Sequence, residues 1–247
     1  MEQVKAPSLM NRMFSEHRAD AVLVPVKASP AHLNTVVEGL KAIANLDGIL
    51  VTVPHKFAVC DLVDRLEPNA ARAQSANVLR READGSWVAE NFDGEGFVAG
   101  LLAAGHTVAG RTVALVGAGG AGVSLAFALL NAGAAKLYIT DTADQRMDDL
   151  AARLGHMWPG RAQATATPAI VDATIAINAT PLGLATSDPI PFDPSQAPRN
   201  SVIADIIMTP AETALLKAAR DAGLTTHPGI HMLEQQLELY RRFFRIS

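Results

Sequence analysis

The chain has 247 residues, of which 49% are hydrophobic and 19% charged, and its formal net charge is −4. This composition is typical of a folded protein of one large or two small domains, and the acidic balance argues against a nucleic-acid or anionic-membrane surface. The single cysteine, Cys60, excludes an internal disulfide framework, and no apolar run has membrane-spanning length or forms a signal peptide, so we expect a cytoplasmic protein.

The first hundred residues alternate apolar runs of strand length with amphipathic helical patterns. We predict helices over Ser8–Phe14, Ala31–Ala44 and Lys56–Leu66, and strands over Ala21–Val26 and Ile49–Val53. Alternating elements of these lengths indicate a parallel sheet covered by helices. The second strand runs into Val51-Thr52-Val53-Pro54-His55-Lys56. This brings a lysine just beyond the end of a strand, the edge at which open α/β sheets bind ligands.

A second series of elements follows a predicted helix over Gly94–Ala104. Strand Arg111–Val116 runs into Gly117-Ala118-Gly119-Gly120-Ala121-Gly122 and a helix, and the next strand, Lys136–Thr140, ends in Asp141. Two further strands are predicted near residues 173–177 and 202–206, and two helices over 211–222 and 229–244. Because a junction falls near residue 106, we expect an α/β protein of two domains, the second of them Rossmann-like.

The G-x-G-x-x-G turn between a strand and a helix is typical of dinucleotide binding. Gly117 allows the tight turn, Gly119 lets the backbone approach a pyrophosphate, and Gly122 allows close packing of the helix on the strand. The helix N-terminus then offers amides and a partial positive charge to the phosphates.

The residue at the end of the next strand indicates which dinucleotide is bound. A carboxylate there, Asp141, accepts hydrogen bonds from the ribose diol and repels the 2′-phosphate of NADP. Its successor is Thr142 rather than an arginine, although Arg146 lies one helical turn further on. We therefore expect NAD as the cofactor and consider NADP the less favoured of the two.

In addition to Lys56, five motifs resemble the shikimate dehydrogenase family, in the family's order and over nearly the whole chain. They are Gln74-Ser75-Ala76-Asn77-Val78, Asn91–Gly96, the glycine turn, Asn178–Gly183 and Gly229–Gln236. The resemblance implies a substrate-binding domain over residues 1–106, a Rossmann-like domain over 107–225 and a C-terminal helix over 226–247 that returns to the first domain. It also implies reversible hydride transfer between the nicotinamide and a secondary hydroxyl or ketone of a shikimate- or quinate-like ring acid.

The resemblance assigns a role to each matching position. Lys56 and Asp93 match the catalytic lysine and aspartate of the family. Thr52, Asn77 and Gln236 match positions that contact the substrate. The positions on the cofactor side are matched by residues 117–122, Asp141, Thr142, Asn178, Thr180 and Met232. The assignment makes chemical sense, because oxidation of an alcohol requires its hydroxyl to lose a proton, and an ammonium–carboxylate pair can relay that proton.

The chain departs from the family pattern at positions that would bind the substrate carboxylate. Val4-Lys5-Ala6-Pro7 stands where the family has two serine hydroxyls, Leu50 replaces an asparagine, Phe92 a threonine and Met208 a tyrosine. Because burying a carboxylate without donors is costly, we do not expect efficient turnover of shikimate itself. The family's first strand has no counterpart here, and its loss would leave backbone groups unpaired, so we expect the natural chain to begin upstream of Met1.

Other functions are weighed against this one. A catalytically weak, NAD- or metabolite-binding regulator is the alternative, and the lost carboxylate contacts favour it. A folate-type dehydrogenase of similar build matches these motifs less well. The seven histidines do not cluster with carboxylates at metal-ligand spacing, so no metal is expected. We expect a small-molecule substrate, no nucleic-acid or membrane partner, and either a monomer or a homodimer.

Overall fold

The computed structural model describes residues 5–246, in which the backbone forms eight α-helices and ten β-strands. The helices are α1 (Ala6–Glu16), α2 (Leu33–Lys41), α3 (Pro68–Ala73), α4 (Asp93–Ala103), α5 (Gly120–Asn131), α6 (Asp144–Met157), α7 (Ala214–Asp221) and α8 (Ile230–Phe243). The strands are β1 (Gly48–Leu50), β2 (Arg65–Leu66), β3 (Val78–Arg81), β4 (Trp87–Glu90), β5 (Thr112–Val116), β6 (Lys136–Thr140), β7 (Ala162–Ala164), β8 (Ile175–Asn178), β9 (Val202–Asp205) and β10 (Thr225–His227). The α/β class predicted from the sequence is confirmed.

Packing divides the chain into two compact units. One contains the residues up to Asp93 together with those from Gln235 onwards, and the other contains Gly94–Glu234. Residues 94–106 and 226–234 thus pack with the second unit, although the sequence analysis grouped them with the first domain and the C-terminal helix. The domain limits at residues 106 and 225 stay a prediction. Val4, the first residue of the Val4–Pro7 stretch, lies outside the described residues.

The sheet of the first unit is mixed, so the prediction of a parallel sheet is wrong for this half of the chain. Its order is β1-β3-β4-β2, with antiparallel pairing of β1 with β3 and of β3 with β4, and parallel pairing of β2 with β4. The cause is a tight connection between β3 and β4, in which the Glu82 amide donates to the Ser86 carbonyl at 2.8 Å and Gly85 has a φ of +87°. A connection this short joins only antiparallel strands.

The predicted strand over Ala21–Val26 is also wrong. Its three alternate valines are exposed, with 72%, 62% and 58% of their surface accessible at Val22, Val24 and Val26. The backbone of Leu23 is paired with a side chain instead of a strand, since it donates to Asn11 Oδ1 at 2.7 Å and accepts from Asn11 Nδ2 at 3.0 Å. An alternating apolar pattern becomes a strand only where a neighbouring strand offers its backbone.

The predicted helix over Lys56–Leu66 is replaced by a 3₁₀ helix over Ala58–Leu62 followed by β2. Backbone pairing with β4 explains the difference. The amide of Asp64 donates to the Trp87 carbonyl at 2.9 Å, and that of Glu67 donates to the Ala89 carbonyl at 2.8 Å. An α-helix would have used these amides internally, so sheet pairing overrides the local helical pattern.

The second unit contains a parallel sheet of six strands in the order β10-β9-β8-β5-β6-β7. Its central strands are almost wholly buried, as in β8 and β9, a pattern typical of strands covered on both faces. The Rossmann-like expectation is therefore confirmed. Strands β7 and β10 were missed because each has only three residues and lies at a sheet edge, where no periodicity is readable.

The carboxyl ends of the central strands lie side by side in this sheet. Val116 pairs with Thr140 on one side and with Asn178 on the other, and Asn178 pairs in turn with Asp205. The segments that follow these four residues therefore emerge at one edge, where parallel sheets bind ligands. Within residues 5–246, no helix combines the length and the apolar character needed to cross a bilayer.

The start of α4 packs so closely on α5 that Gly94 has no room for a side chain. A Cβ atom at Gly94 would overlap the carbonyl oxygen of Ser124 and lie 2.7 Å from Ala128 Cβ. We expect Gly94→Ala to lower the free energy of unfolding by about 2 kcal/mol, because helix backbone must shift to admit the methyl group. Chemical denaturation measures this change.

Gly155 in α6 is the matched control, because a Cβ atom there meets no other atom within 4 Å. Gly155→Ala should change the stability by no more than about 1 kcal/mol, in the stabilising direction, since alanine is the better helix former. Equal effects of the two substitutions on stability would contradict the conclusion that α5 leaves no room for a Cβ atom at Gly94.

Candidate functional site

A buried ion pair lies at the centre of the candidate site in the first unit. Lys56 Nζ donates to Asp93 Oδ2 at 2.6 Å, and the two residues are only 9% and 2% exposed. Lys56 follows the turn after β1. Asp93 is the first residue of α4, and two residues separate it from the end of β4. Short connections from one sheet therefore bring the two predicted catalytic residues together.

Two amide side chains donate to the other oxygen of the same carboxylate. Asn77 Nδ2 lies 2.9 Å from Asp93 Oδ1, and Gln236 Nε2 lies 3.1 Å from it. The Asn77 amide is held in turn by its own Oδ1, which accepts the backbone N–H of Phe92 at 3.0 Å. The structure thus brings four of the five residues predicted for the substrate side into one hydrogen-bonded group.

Thr52, the fifth of these residues, is exposed and lies outside the group. Its carbonyl accepts the amide of His55 at 3.0 Å, and the His55 ring in turn contacts the carbonyl of Ala28 at 3.1 Å. Both residues therefore shape the turn that carries Lys56. Cys60, the single cysteine, is partly buried, and this burial raises its pKa to about 11, so that the thiol is protonated at neutral pH.

Three residues that the sequence reasoning missed complete the surroundings of Asp93. The side chain of Asn91 accepts the Asp93 amide at 3.0 Å, and Glu90 Oε1 accepts the amides of Ala70 and Asn91, each at 2.7 Å. The third is Tyr240, whose hydroxyl bonds to Asn77 and Gln236. Its position one helical turn after Gln236 was the only signal in the sequence.

Burial shifts two pKa values at this site. Desolvation raises the pKa of the Tyr240 phenol well above its usual value, and the charge of Asp93 adds to the effect. Desolvation also raises the pKa of Glu90, against the lowering effect of the backbone amides that it accepts. The phenol is therefore protonated at neutral pH and is available as a hydrogen-bond donor.

In the second unit, the glycine turn has the geometry of a phosphate-binding loop. Gly117 has a φ of +106°, and a Cβ atom there would lie 2.7 Å from the carbonyl carbon of Ala179. A Cβ atom at Gly122 would overlap the carbonyl oxygen of Gly117. At Gly119, the N-cap residue of α5, a Cβ atom would meet no other atom within 4 Å, which leaves space for a pyrophosphate against the backbone. The residues present fit a dinucleotide.

Asp141 lies beside this turn and is fixed by three donors. Its Oδ2 accepts the amide of Ala118 at 2.6 Å, and its Oδ1 accepts the amide of Ala143 at 2.9 Å. Arg146 lies 3.5 Å from the same Oδ1 atom, and Thr142 is exposed. The carboxylate is thus oriented next to the loop, as the prediction of a ribose contact requires.

Asn178 organises the loop after β8 and has little capacity left for a cofactor. Its Oδ1 accepts both the amide and the hydroxyl of Thr180, at 3.0 and 2.7 Å. Its Nδ2 donates to the Leu182 carbonyl and to Asp205 Oδ1, at 3.0 and 3.1 Å. We infer that Asn178 positions the loop, whereas Met232, buried in α8, stays a predicted cofactor contact.

Each unit has one arrangement with chemical potential. The first contains a buried ammonium–carboxylate pair, a combination that can relay a proton, and the second contains a glycine turn whose backbone leaves room for a phosphate. Among residues 5–246, no group of three or more histidine, cysteine, aspartate or glutamate side chains is placed to hold a metal ion.

Comparison with known proteins gives consistent matches. A model of the shikimate dehydrogenase substrate binding domain matches residues 1–79. The shikimate dehydrogenase (NADP(+)) of Rubrobacter xylanophilus is 36% identical over 236 residues, which are 94% of this chain and 82% of that protein. The ligand-free structure of 5-ketofructose reductase from a Gluconobacter strain is 28% identical, with a TM-score of 0.83 over 97% of this chain and 87% of that one. Quinate dehydrogenase from Corynebacterium glutamicum in complex with NAD is 27% identical, with a TM-score of 0.83 over 97% and 88%.

The raised pKa of Glu90 makes the stability depend on pH in a predictable direction. The folded state holds the Glu90 proton more tightly than the unfolded state, so its contribution is lost as the pH rises from the ordinary carboxyl range through the raised value. Glu90→Gln keeps an oxygen acceptor at Oε1 and replaces the ionisable carboxyl with an amide that does not titrate. We expect the variant to gain stability relative to the wild type as the pH rises, by at most about 1.4 kcal/mol per pH unit.

Denaturation at several pH values from 4 to 7 measures this difference. The two proteins should be most similar at the acid end, where the Glu90 carboxyl is neutral in both states. Parallel stability curves would contradict the raised pKa.

Proposed function

Because this chain belongs to the shikimate dehydrogenase family, we propose that it is an oxidoreductase that moves a hydride reversibly between a nicotinamide cofactor and a secondary hydroxyl or ketone of a hydroxylated ring. The observation that carries the proposal is the buried Lys56–Asp93 pair, held by two amides, an arrangement that a regulator binding only a cofactor does not need. The glycine turn and Asp141 support a dinucleotide as the cofactor.

When bound, the cofactor supplies the acceptor or donor of the hydride, and the residues of this chain handle the proton. In oxidation, the C–H bond of the alcohol breaks with its electron pair, which leaves as the hydride. The hydroxyl proton is relayed to the Asp93 carboxylate through Lys56, whose ammonium gives the proton that it shares with Asp93 Oδ2 to that oxygen and takes up the hydroxyl proton in its place. In reduction, the Lys56 ammonium donates a proton to the ketone oxygen. The ammonium carries three hydrogens, and the described contacts use one of them on Asp93, which leaves two for the substrate oxygen.

The proposed substrates are ring hydroxy acids related to shikimate and quinate. Shikimate and quinate are the first compounds to test, since the Rubrobacter relative is named a shikimate dehydrogenase and the NAD complex of a quinate dehydrogenase is among the similar structures. Lys5, Ala6 and Pro7 offer no side-chain hydroxyl for a carboxylate, so recognition of the acid would depend on other groups.

A neutral polyhydroxylated substrate is a second candidate, and the surroundings of Phe92 favour it. This ring packs edge-on against Tyr240 and Phe243, with centroids 5.9 and 5.6 Å apart, and gives an apolar surface where the family pattern has a threonine. A substrate without a carboxylate needs no donors at such a surface. The similarity to 5-ketofructose reductase supports including a ketose in the test.

Lys56→Ala should lower kcat at least about a hundredfold with any substrate that the wild type turns over, because the proton transfer loses its donor and acceptor. The assay follows the nicotinamide absorbance, with shikimate and quinate tested for oxidation by the oxidised cofactor and 5-ketofructose tested for reduction by the reduced cofactor. Lys217→Ala is the matched control, because this lysine is 62% exposed in α7 and pairs with Asp221 on the same helix. It should leave turnover unchanged.

Chemical denaturation, compared with that of the wild type, shows whether the Lys56→Ala protein is folded, because Lys56 lies in the first unit and the dinucleotide loop in the second. Undiminished turnover in a folded Lys56→Ala protein would contradict the proposed chemistry. Tight cofactor binding by a wild type that turns over no member of the panel would favour the regulator instead.

NAD is the proposed cofactor, and the contacts of Asp141 support it. Its carboxylate is fixed beside the glycine turn by the amides of Ala118 and Ala143, where it would accept ribose hydroxyls and repel a 2′-phosphate. Arg146, one helical turn further on, lies 3.5 Å from Asp141 Oδ1 and so pairs with the carboxylate itself. The Rubrobacter relative is named as an NADP(+) enzyme, so the preference of this chain between NAD and NADP is to be measured directly.

Asp141→Ser should shift the ratio of kcat/KM values for NAD and NADP towards NADP by at least about tenfold, since loss of the carboxylate removes both an acceptor and a repulsive charge. Asp144→Ser is the control, because Asp144 is an exposed acidic residue in the first turn of α6. A wild type that already prefers NADP, with no change on substitution of Asp141, would overturn the assignment.

A further inference from the structure

Tyr240 places a phenol hydroxyl among the amides that hold the buried carboxylate. The residue lies in α8 and is 4% exposed. Asn77 Nδ2 donates to its hydroxyl oxygen at 3.1 Å, and the hydroxyl donates to Gln236 Oε1 at 3.2 Å. Neither the glycine turn nor the ion pair explains a polar group at this depth.

These contacts close a ring of hydrogen bonds. Asn77 and Gln236 both donate to Asp93 Oδ1, at 2.9 and 3.1 Å, and Tyr240 joins the two amides on their other side. Each member is at most 4% exposed. Rotating either amide by half a turn would direct its oxygen at the carboxylate, so the ring allows one orientation of each.

The ring determines which atoms of the amides are left for a ligand. Both N–H groups of Asn77 are used, on Asp93 and Tyr240, and its Oδ1 has one remaining lone pair beside the bond from the Phe92 amide. Gln236 keeps one N–H, because its other N–H donates to Asp93 and its oxygen accepts from Tyr240. Without the phenol hydroxyl, Asn77 would regain a donor.

We propose that Tyr240 is a positioning residue that sets the specificity of the site, a proposal that rests on the proposed function. Through the ring, it makes Asn77 a pure acceptor towards the substrate, so the group that meets Asn77 must be a hydroxyl and not a carbonyl or ether oxygen. It leaves Gln236 and Lys56 as the donors. The site therefore selects a substrate that presents a hydroxyl to Asn77.

Tyr240→Phe tests this role, because the change removes the hydroxyl and keeps the aromatic ring against Phe92. We expect the KM for the substrate that the wild type turns over, shikimate, quinate or 5-ketofructose, to rise about tenfold, the effect of one lost hydrogen bond. The KM for the cofactor should not change. Tyr138→Phe is the matched control, since Tyr138 lies on β6 and is the only other tyrosine of the chain.

A split between the two KM values, with the same melting temperature as the Tyr138→Phe control, supports positioning. An unchanged substrate KM would overturn the proposal. A parallel rise of both KM values with a loss of thermal stability would also overturn it, because that result shows a structural role.

The ring itself is tested in the free protein, independently of turnover. Carbon-13 labelling of the tyrosine Cζ atoms gives two signals, and Tyr240→Phe identifies which of them belongs to Tyr240. Gln236→Leu should move the Tyr240 signal and leave that of Tyr138 in place. If the signal does not move, the ring does not exist and the proposal fails, even in an active enzyme. If the signal moves but the wild type turns over no compound of the panel, the proposed function fails and the hydrogen-bonded ring stands.

Discussion

The burial of one carboxylate constrains the whole first unit. Asp93 is 2% exposed, and an unpaired charge at that depth would cost several kcal/mol. Its donors come from distant parts of the chain, since Lys56 is 37 residues away, Asn77 is 16 and Gln236 is 143. These contacts connect the start of α4 to the turn after β1, to the residue before β3 and to α8. The buried carboxylate therefore joins segments that are far apart in the sequence.

The second unit depends on a steric constraint of a different kind. Gly117 and Gly122 approach each other and Ala179 so closely that neither position admits a Cβ atom. The result is a bare backbone surface at the carboxyl edge of the parallel sheet, next to the fixed carboxylate of Asp141. A dinucleotide phosphate binds such a surface through backbone amides. The surface therefore depends on the lack of side chains at these glycines and not on side-chain donors.

The sequence was informative where function and local pattern coincide. A strand, a glycine turn and a helix occupy adjacent residues, so the dinucleotide loop was predicted at Gly117–Gly122 with its acidic partner. Ala21–Val26 has the alternation of a strand, but that pattern cannot tell whether a neighbouring strand exists. Tyr240 was missed for a related reason, because its partner Asn77 lies 163 residues away and no local pattern reports such a contact. Asn77 and Gln236 were found only through the family resemblance.

The hydrogen-bonded group around Asp93 does not depend on the side chain at position 92. Its members satisfy one another, so the group does not depend on a particular substrate to be stable. Phe92 illustrates the point, because it joins the group through its backbone N–H, which donates to Asn77 Oδ1. Any residue except proline supplies that hydrogen. A threonine or a phenylalanine at this position can therefore make the same backbone contact with Asn77, and the difference between them lies in the side chain, which here packs against Tyr240 and Phe243.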